Sequence, residues 1–339
     1  MQTTVLLFTR LLGRTSYLIL LLLLSFACTE EDEDDLVGNW VRRSDFEGVP
    51  RSNAVAFSIG DFAYVGLGFD GDEDLRDFWR YDPTLDFWTM VDSFPATARR
   101  AAVGFSVAGK GYVSTGFNGD LEEEFQDCWA FDPEAPAGSQ WTRVADFPGT
   151  ARYDAVAFTT ENTAYVGSGF DDNWLKDFYR YNPATDSWAQ VVSLGGSKRE
   201  SATAFSLNGR HYVGTGRNNG IYEFDFWQYD PEISTWRRME DLDEDDDYNI
   251  ARHGAVSFTL GNLGYVATGS NGVNMSSVWA YDPALDEWEE KTAFEGISRT
   301  EAVSFVVNGR AFITTGRNGG ARFDDLREFF PNEEFDEDD

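Results

Sequence analysis

The sequence predicts an all-β protein built from repeated units, on three observations. A motif of fixed spacing recurs six times along the 339 residues. Each copy contains short runs of β-branched and aromatic residues bounded by Gly, Asn, Asp and Pro, a composition typical of strands and turns. The repeat period is near 50 residues, which is the size of a four-stranded propeller blade. We therefore predict a six-bladed β-propeller.

Each unit opens with an arginine and ends near a proline. An alanine follows the arginine after three residues, and a glycine follows that alanine after 14 residues in every unit. The arginines are Arg51, Arg99, Arg152, Arg199, Arg252 and Arg299. The glycine falls where the second strand of each unit ends, and a residue without a side chain permits tight packing there.

Four units carry a tyrosine that is followed seven residues later by a tryptophan, as in Tyr81 and Trp88. This spacing resembles the kelch repeat, and the resemblance covers residues 38–331. It implies a propeller like the central domain of galactose oxidase. The units lack the usual glycine pair of that family and show Gly66-Leu67-Gly68 or Thr215-Gly216 instead. The resemblance specifies the fold rather than the function, because propellers host unrelated activities.

The two ends of the repeat region are predicted to meet in one blade. The sixth unit ends at Phe329-Phe330-Pro331 with no tryptophan after it. An isolated Trp40 precedes Arg51 by 11 residues, the spacing found between tryptophan and arginine in most other units. We expect the N-terminal strand to complete the last blade, which leaves no unpaired strand edge at the seam.

Composition excludes several classes of function. The net charge is −32, from 27 Lys and Arg against 59 Asp and Glu, so a nucleic-acid backbone would be repelled. A hydrophobic content of 42% excludes a disordered chain. Two cysteines and two histidines are too few for a disulfide scaffold or most histidine metal sites. The copper site of galactose oxidase needs two histidines, tyrosines and a tyrosine–cysteine cross-link, and we do not expect this chain to supply that set. We expect a monomer without a cofactor, and we expect Cys128 to be a buried thiol.

The N-terminus resembles the export signal of a bacterial lipoprotein. Arg10 and Arg14 precede an apolar stretch that ends in Ser25-Phe26-Ala27-Cys28. We predict a signal peptide over residues 1–27, a lipid on Cys28, an acidic tether over 28–37, the propeller over 38–331 and an acidic tail over 332–339. The acidic run after Cys28 favours display on the outer-membrane surface. The alternative is an ordinary signal peptide with an incidental cysteine, or a protein that faces the periplasm.

One face of the propeller is predicted to carry the function. In a four-stranded meander, the connections from strand 4 to strand 1 and from strand 2 to strand 3 emerge on the same face. The arginines lie in the first kind of connection. Most length variation falls on this face, including five extra residues, Asp243-Glu244-Asp245-Asp246-Asp247, in one arginine connection. Loops that vary on a constant scaffold usually carry binding residues.

Two roles remain open for the six arginines. They are predicted to converge near the channel mouth, where like charges repel unless acidic groups counter them. Aspartates recur just before the third strand of five units, and each is able to brace the arginine of its own unit; Ser277 stands at this position in the fifth. Alternatively, the arginines capture a carboxylate ligand. The aspartates are Asp77, Asp127, Asp177, Asp225 and Asp325.

Further ligand candidates follow the repeated glycines. An Asp or Asn stands two residues after each glycine; these residues are Asp70, Asn118, Asp171, Asn218, Asn271 and Asn318. Phe69, Phe117 and Phe170 share one position, so loop packing is their alternative role. Trp174 and Tyr222 lie outside that pattern and are stronger contact candidates. The acidic loop Asp70–Asp74 is interpreted as solvated, with Ca²⁺ binding as its alternative.

We predict a lipid-anchored surface propeller that recognises a glycan or protein ligand on this loop face. The alternative is a periplasmic sugar-acid (sialic acid) epimerase or mutarotase of the kelch type. In such an enzyme, an arginine would hold the sugar carboxylate, while His253 and either Glu200 or Glu301 would act as acid and base to exchange the anomeric proton.

Overall fold

The computed structural model describes residues 36–242 and 248–336. These residues form six antiparallel four-stranded sheets and no helix, which confirms the six-bladed propeller. No described segment is a helix with the length and apolar character needed to cross a membrane. The predicted signal peptide, Cys28, most of the acidic tether and the acidic residues 243–247 lie outside the described residues.

Each blade runs from the channel to the rim in four strands, which are consecutive along the chain in blades 1 to 5. We number the blades by the arginine that precedes them, so that blade 1 follows Arg51. The strands of blades 1 to 3 are Val55–Ile59, Phe62–Gly66, Phe78–Asp82 and Phe87–Val91; Val103–Val107, Lys110–Ser114, Cys128–Phe131 and Trp141–Val144; and Val156–Thr159, Ala164–Gly167, Phe178–Asn182 and Ser187–Val191.

Blades 4 to 6 repeat the pattern. Their strands are Thr203–Leu207, Arg210–Gly214, Trp227–Asp230 and Thr235–Arg238; Val256–Leu260, Leu263–Ala267, Val278–Asp282 and Glu287–Lys291; and Val303–Val307, Arg310–Thr314, Leu326–Glu334 and Val37–Arg43. Three loops between strands 2 and 3 add two-residue hairpins: Phe117–Asn118 with Glu123–Glu124, Arg217–Asn218 with Ile221–Tyr222, and Arg317–Asn318 with Ala321–Arg322.

The N-terminal strand completes blade 6, as the sequence predicts. Val37–Arg43 pairs antiparallel with the last strand, and Trp40 lies opposite Phe329. Trp40 is fully buried, stacks on Phe329 at 4.6 Å between ring centroids and meets Phe294 edge-on. This is the same aromatic pairing that Tyr81 and Trp88 make within blade 1, at 4.8 Å. The ring therefore closes with side chains from both ends of the chain, and its last strand continues to Glu334.

The repeated aromatic residues fill the spaces between the sheets. Phe57 stacks on Tyr64 of its own blade and contacts Phe131 of the next blade. The other blades repeat the pair of strands 1 and 2, ending with Phe305 and Phe312. Burial of such rings stabilises the blades against one another. Cys128 is buried in blade 2, as predicted, and burial raises the pKa of its thiol.

Candidate functional site

A buried arginine binds across the loops of each blade. The guanidinium of Arg51 donates from Nη1 and Nη2 to the two carboxylate oxygens of Asp77, at 2.6 and 2.7 Å. It also donates to the carbonyl oxygens of Leu67 and Val49. Such a bidentate pair combines charge with fixed geometry. We call this arrangement the arginine clamp.

The arginine–aspartate pair of the clamp is present in five blades, and it is bidentate in four of them. In blade 4, Arg199 donates from Nη2 to one carboxylate oxygen of Asp225 and from Nη1 to the backbone carbonyl of Asp225. The paired residues are Arg51 and Asp77, Arg99 and Asp127, Arg152 and Asp177, Arg199 and Asp225, and Arg299 and Asp325. Each of these arginine side chains is at most 1% exposed. In blades 1, 2 and 4 the indole Nε1–H of a nearby tryptophan also donates to the aspartate. Burial disfavours the charged form of Asp77, but the bonds and charge of Arg51 outweigh it and lower the pKa of Asp77.

Blade 5 has Ser277 at the position where the other blades have the clamp aspartate. The guanidinium of Arg252 is fully buried and donates to the carbonyl oxygens of Asn249, Ile250, Thr268 and Ser277. The Oγ atom of Ser277 and the Nε1 atom of Trp279 are buried with no hydrogen-bond partner among the described residues. Burial lowers the pKa of Arg252 to about 10, against the opposing influence of the Glu290 charge.

The arginines do not line the channel mouth, contrary to our expectation. Each guanidinium binds within its own blade, and none of the six side chains is more than 1% exposed. Bracing is the role that this geometry matches, because a side chain without accessible surface cannot contact a ligand. Among the described residues, Arg252 is the one of the six arginines without a bracing aspartate, and backbone carbonyl groups surround it.

The residues that do line the mouth stand two positions after each arginine. They are Asn53, Ala101, Asp154, Ser201, Gly254 and Glu301, and we call them the mouth residues. All six have φ between +49° and +59°, a conformation that is uncommon for residues other than glycine. Each backbone N–H donates to the carbonyl of the mouth residue in the preceding blade, at 2.8–3.1 Å. Six hydrogen bonds thus form a closed circle around the channel.

A second set of backbone bonds links the blades just outside this circle. The glycine of each repeat donates its N–H to the carbonyl of the arginine in the next blade; Gly68, for example, donates to Arg99 at 2.9 Å. Gly68 has φ of +96°, and a Cβ atom there would lie 2.7 Å from the carbonyl oxygen of Ser52. The repeated glycine is therefore required by backbone approach.

The mouth encloses a cavity of about 160 Å³. Alanines form its floor, and Asp154 and Glu301 supply its charged groups. These two residues belong to blades 3 and 6, so they stand on opposite sides of the channel. Burial, followed by the charges of Glu301 and Glu200, raises the pKa of Asp154 to about 7.

Ion pairs surround the charged side of the mouth. Glu200 accepts a hydrogen bond from Nε of Arg217 at 2.8 Å, and Glu301 accepts two from Arg317, at 2.5 and 2.7 Å. His253 bonds through Nδ1 to the carbonyl of Ser270 at 2.8 Å, and burial lowers its pKa. These are the residues that the epimerase alternative singled out.

The remaining contact candidates divide into an aromatic side and a polar side. The residue after each repeated glycine is Phe69, Phe117 or Phe170 in blades 1 to 3, and Arg217, Ser270 or Arg317 in blades 4 to 6. The three phenylalanines are half-buried, and Trp174 packs edge-on against Phe170. Tyr222 is half-buried and stacks on His253 at 5.6 Å.

The six Asp and Asn residues of the loops bind mainly to their own surroundings. Asp70 accepts backbone N–H bonds from Asp72 and Glu73, and Asp171 accepts one from Asn173. Asn118 and Asn318 donate to the carbonyls of Ala98 and Ser298. Asn218 bonds to Glu223, and Asn271 donates to Asn249. These contacts shape the loops and place the residues on the mouth face, outside the cavity.

Of the six mouth residues, only Glu301 was among the candidates predicted from the sequence. The available signal was the position directly before the repeated alanine, which, like the position before it, differs in every unit while the flanking arginine and alanine repeat. A variable position inside an otherwise fixed motif indicates a residue that the scaffold does not require. Our predicted ligand residues were mostly at the repeated positions, and the repeated arginines proved to be buried structural residues.

Comparisons with known proteins agree with the geometry. A family model described as the KLHDC2/KLHL20/DRC7 Kelch-repeats domain matches residues 146–316, just over half of the chain. A solved structure titled "Structure of YjhT" is similar to this fold, with a TM-score of 0.71 at 16% sequence identity. The match covers 84% of this chain and 95% of that one. No curated protein matches the sequence.

The clamp predicts a pH-dependent stability. We expect Asp77→Asn to lower the free energy of unfolding at pH 7 by about 2–3 kcal/mol, because it leaves the buried Arg51 without a counter-charge. A carboxylate whose pKa is lowered on folding stabilises the protein above its ordinary pKa of about 3.9, and this stability is lost as the pH falls through the folded-state value. The difference in the free energy of unfolding between the parent and the Asp77→Asn variant, measured by urea unfolding, should therefore decrease at acidic pH.

Asp61→Asn is the matched control, because Asp61 is exposed on a hairpin of the same blade. Its expected effect is below about 0.5 kcal/mol. Equal stability of the Asp77 and Asp61 variants at pH 7 would show that the clamp contributes nothing beyond its backbone bonds.

Proposed function

The chain belongs to the KLHDC2/KLHL20/DRC7 Kelch-repeats domain family, and we propose that it is a bacterial surface protein that binds a glycan or protein ligand at its mouth face. A kelch propeller fold indicates a binding or scaffolding role, because rigid blades present many loops on one face. In this proposal a lipid on Cys28 anchors the chain in the outer membrane, and the acidic segment after it tethers the propeller.

The observation that carries the proposal is the contrast between the two sides of the mouth. Aromatic side chains at the position after the repeated glycine give blades 1 to 3 an aromatic side, where the guanidiniums of Arg100 and Arg322 lie over the Phe69 ring. Arginines at this position give blades 4 and 6 a charged side. Aromatic rings pack against sugar rings or apolar side chains, and charged groups bind hydroxyl or ionic groups. A ligand with both kinds of surface fits across the mouth.

The ion pairs at the mouth support binding rather than turnover. Glu200 and Glu301 each accept a short hydrogen bond from an arginine. His253 is held between the ring of Tyr222 and the carbonyl of Ser270. Side chains that are already engaged in this way suit a preformed recognition surface.

Ligand binding is tested on the mature chain, residues 28–339. The protein is screened on glycan and protein arrays, and the affinity for each hit is measured by titration calorimetry. We expect Trp174→Ala and Tyr222→Ala each to weaken binding about tenfold or more, or about 1.4 kcal/mol, because they remove aromatic contact surface from the mouth face. Phe87→Ala, on the outermost strand of blade 1 and 57% exposed, should leave the affinity unchanged.

An alternative position for the ligand-binding site is available on the opposite face of the propeller. A cavity of about 690 Å³ lies on the opposite face between blades 2 and 3, lined by Lys110, Tyr112 and Asp186 among others. If Lys110→Ala abolishes binding while the mouth variants keep it, the ligand binds on that face and the proposal is wrong.

Anchoring has its own test. Cys28→Ala removes the residue that would carry the lipid, so the variant should move from the membrane fraction to the soluble fraction on cell fractionation. Cys128→Ala is the control, since Cys128 is buried in blade 2. Continued recovery of the Cys28 variant with the membranes would contradict lipid anchoring.

A further inference from the structure

The charged groups that act on Asp154 are unequal in number. Asp154, Glu200 and Glu301 supply three carboxylates, and Arg217 and Arg317 supply two guanidiniums. Glu200 is paired with Arg217, and Glu301 with Arg317. Asp154 accepts a hydrogen bond from Ser201 but has no ion pair within 4.0 Å among the described residues. One negative charge is therefore left over, and it belongs to a residue of the cavity wall.

A carboxylate that is withdrawn from water is unfavourable unless a cation or a proton neutralises it. Burial and the facing charges of Glu301 and Glu200 raise the pKa of Asp154 to about 7, against the opposing influence of Arg217. Arg317 and Tyr153 also act on this group, and the pKa of His253 nearby is lowered by burial. At neutral pH the carboxyl group of Asp154 is therefore protonated in only part of the molecules. A cation that enters the cavity would take the place of this proton.

The shape and lining of the cavity favour an ammonium group over a metal ion. The described residues contain no group of three or more acidic, histidine or cysteine side chains positioned to hold a metal. Asp154 and Glu301 stand on opposite sides of the channel, with Asn53 and Ser201 between them in the circle of mouth residues. An ammonium has three N–H donors, which suits oxygen acceptors spread around a ring. The alanines that line the cavity offer an apolar surface to an alkyl chain attached to the ammonium group.

The surroundings of the mouth favour a protein as the source of the ammonium. Exposed aliphatic side chains occupy loops of the mouth face: Leu121, Ile221, Val273 and Ile297, each 59–72% exposed. Exposed apolar side chains around a charged pocket are typical of protein contact surfaces. The net charge of −32 attracts a basic partner over long range.

The cavity, the apolar loops around it and an Asp154 with no ion pair among the described residues carry one inference: we infer that the mouth binds a lysine side chain of a partner protein. The ammonium is held between Asp154 and Glu301, the alkyl chain lies on the alanines, and the flanking residues of the partner contact the aliphatic loops. This inference rests on the proposed function, since it names the ligand group of the same mouth.

The test uses the mature chain and the neutral-capped peptide acetyl-Gly-Leu-Lys-Leu-Gly-amide, titrated by calorimetry. We expect binding at pH 8 that weakens at least tenfold at pH 5.5, because Asp154 takes up a proton as the pH falls through about 7. The same peptide with an acetylated lysine side chain should not bind. Asp154→Asn should weaken binding at least tenfold and remove most of the pH dependence.

Asp172→Asn is the matched control, because it removes an exposed acidic charge from the same blade; it should change the affinity less than twofold. Asparagine tolerates the positive φ of residue 154, so the Asp154 variant should fold, which its thermal melting curve checks. Equal binding of the acetylated peptide, undiminished binding by the Asp154 variant, or binding of glucosamine without binding of the peptide would each overturn the inference. If only this inference fails, a ligand found on the arrays will still depend on Trp174 and Tyr222.

Discussion

The rest of the structure depends on the hydrogen bonds that one buried arginine makes in each blade. Its guanidinium binds the loops of its own blade, and its backbone carbonyl accepts a hydrogen bond from the glycine of the blade before it, as Arg99 does from Gly68. Burying a guanidinium is unfavourable unless carboxylate and carbonyl acceptors surround it. Once they do, one residue fixes both the loop within a blade and the spacing between blades. This dual role explains why arginine and glycine recur in all six units.

The clamp also determines where variation is possible. It holds the backbone on the inner side of each arginine, where six mouth residues form a closed circle of hydrogen bonds through their main chains. Main-chain bonds leave the side chains free to differ, and the circle carries an amide, a hydroxyl, two carboxyl groups, one alanine and one glycine. A symmetric scaffold therefore presents an asymmetric opening. Asp154 and Glu301 face each other there, and the function that we propose depends on this asymmetry.

The sequence predicted the fold well because one motif with the same spacing occurs six times. The blade number, the closing role of Trp40 and the face that carries the arginines all follow from spacing. The role of the arginines did not follow, since a guanidinium that braces Asp77 and one that binds a ligand carboxylate have the same sequence signature. Positive φ at non-glycine residues cannot be read from residue type. The pKa of Asp154 depends on Glu200 and Glu301 from other blades, so only the folded structure brings those charges together.

Blade 5 offers the most direct measurement, because it has the arginine but carries Ser277 in place of the clamp aspartate. Ser277→Asp places an acceptor beside Arg252 and the indole N–H of Trp279, which has no hydrogen-bond partner among the described residues. If charge pairing in the clamp stabilises the blades, urea unfolding at pH 7 should show a gain of about 1–2 kcal/mol. Val273→Asp, which adds the same charge at an exposed position of that loop, should show no gain. A Ser277 variant that is no more stable than the parent would contradict the central role of the clamp.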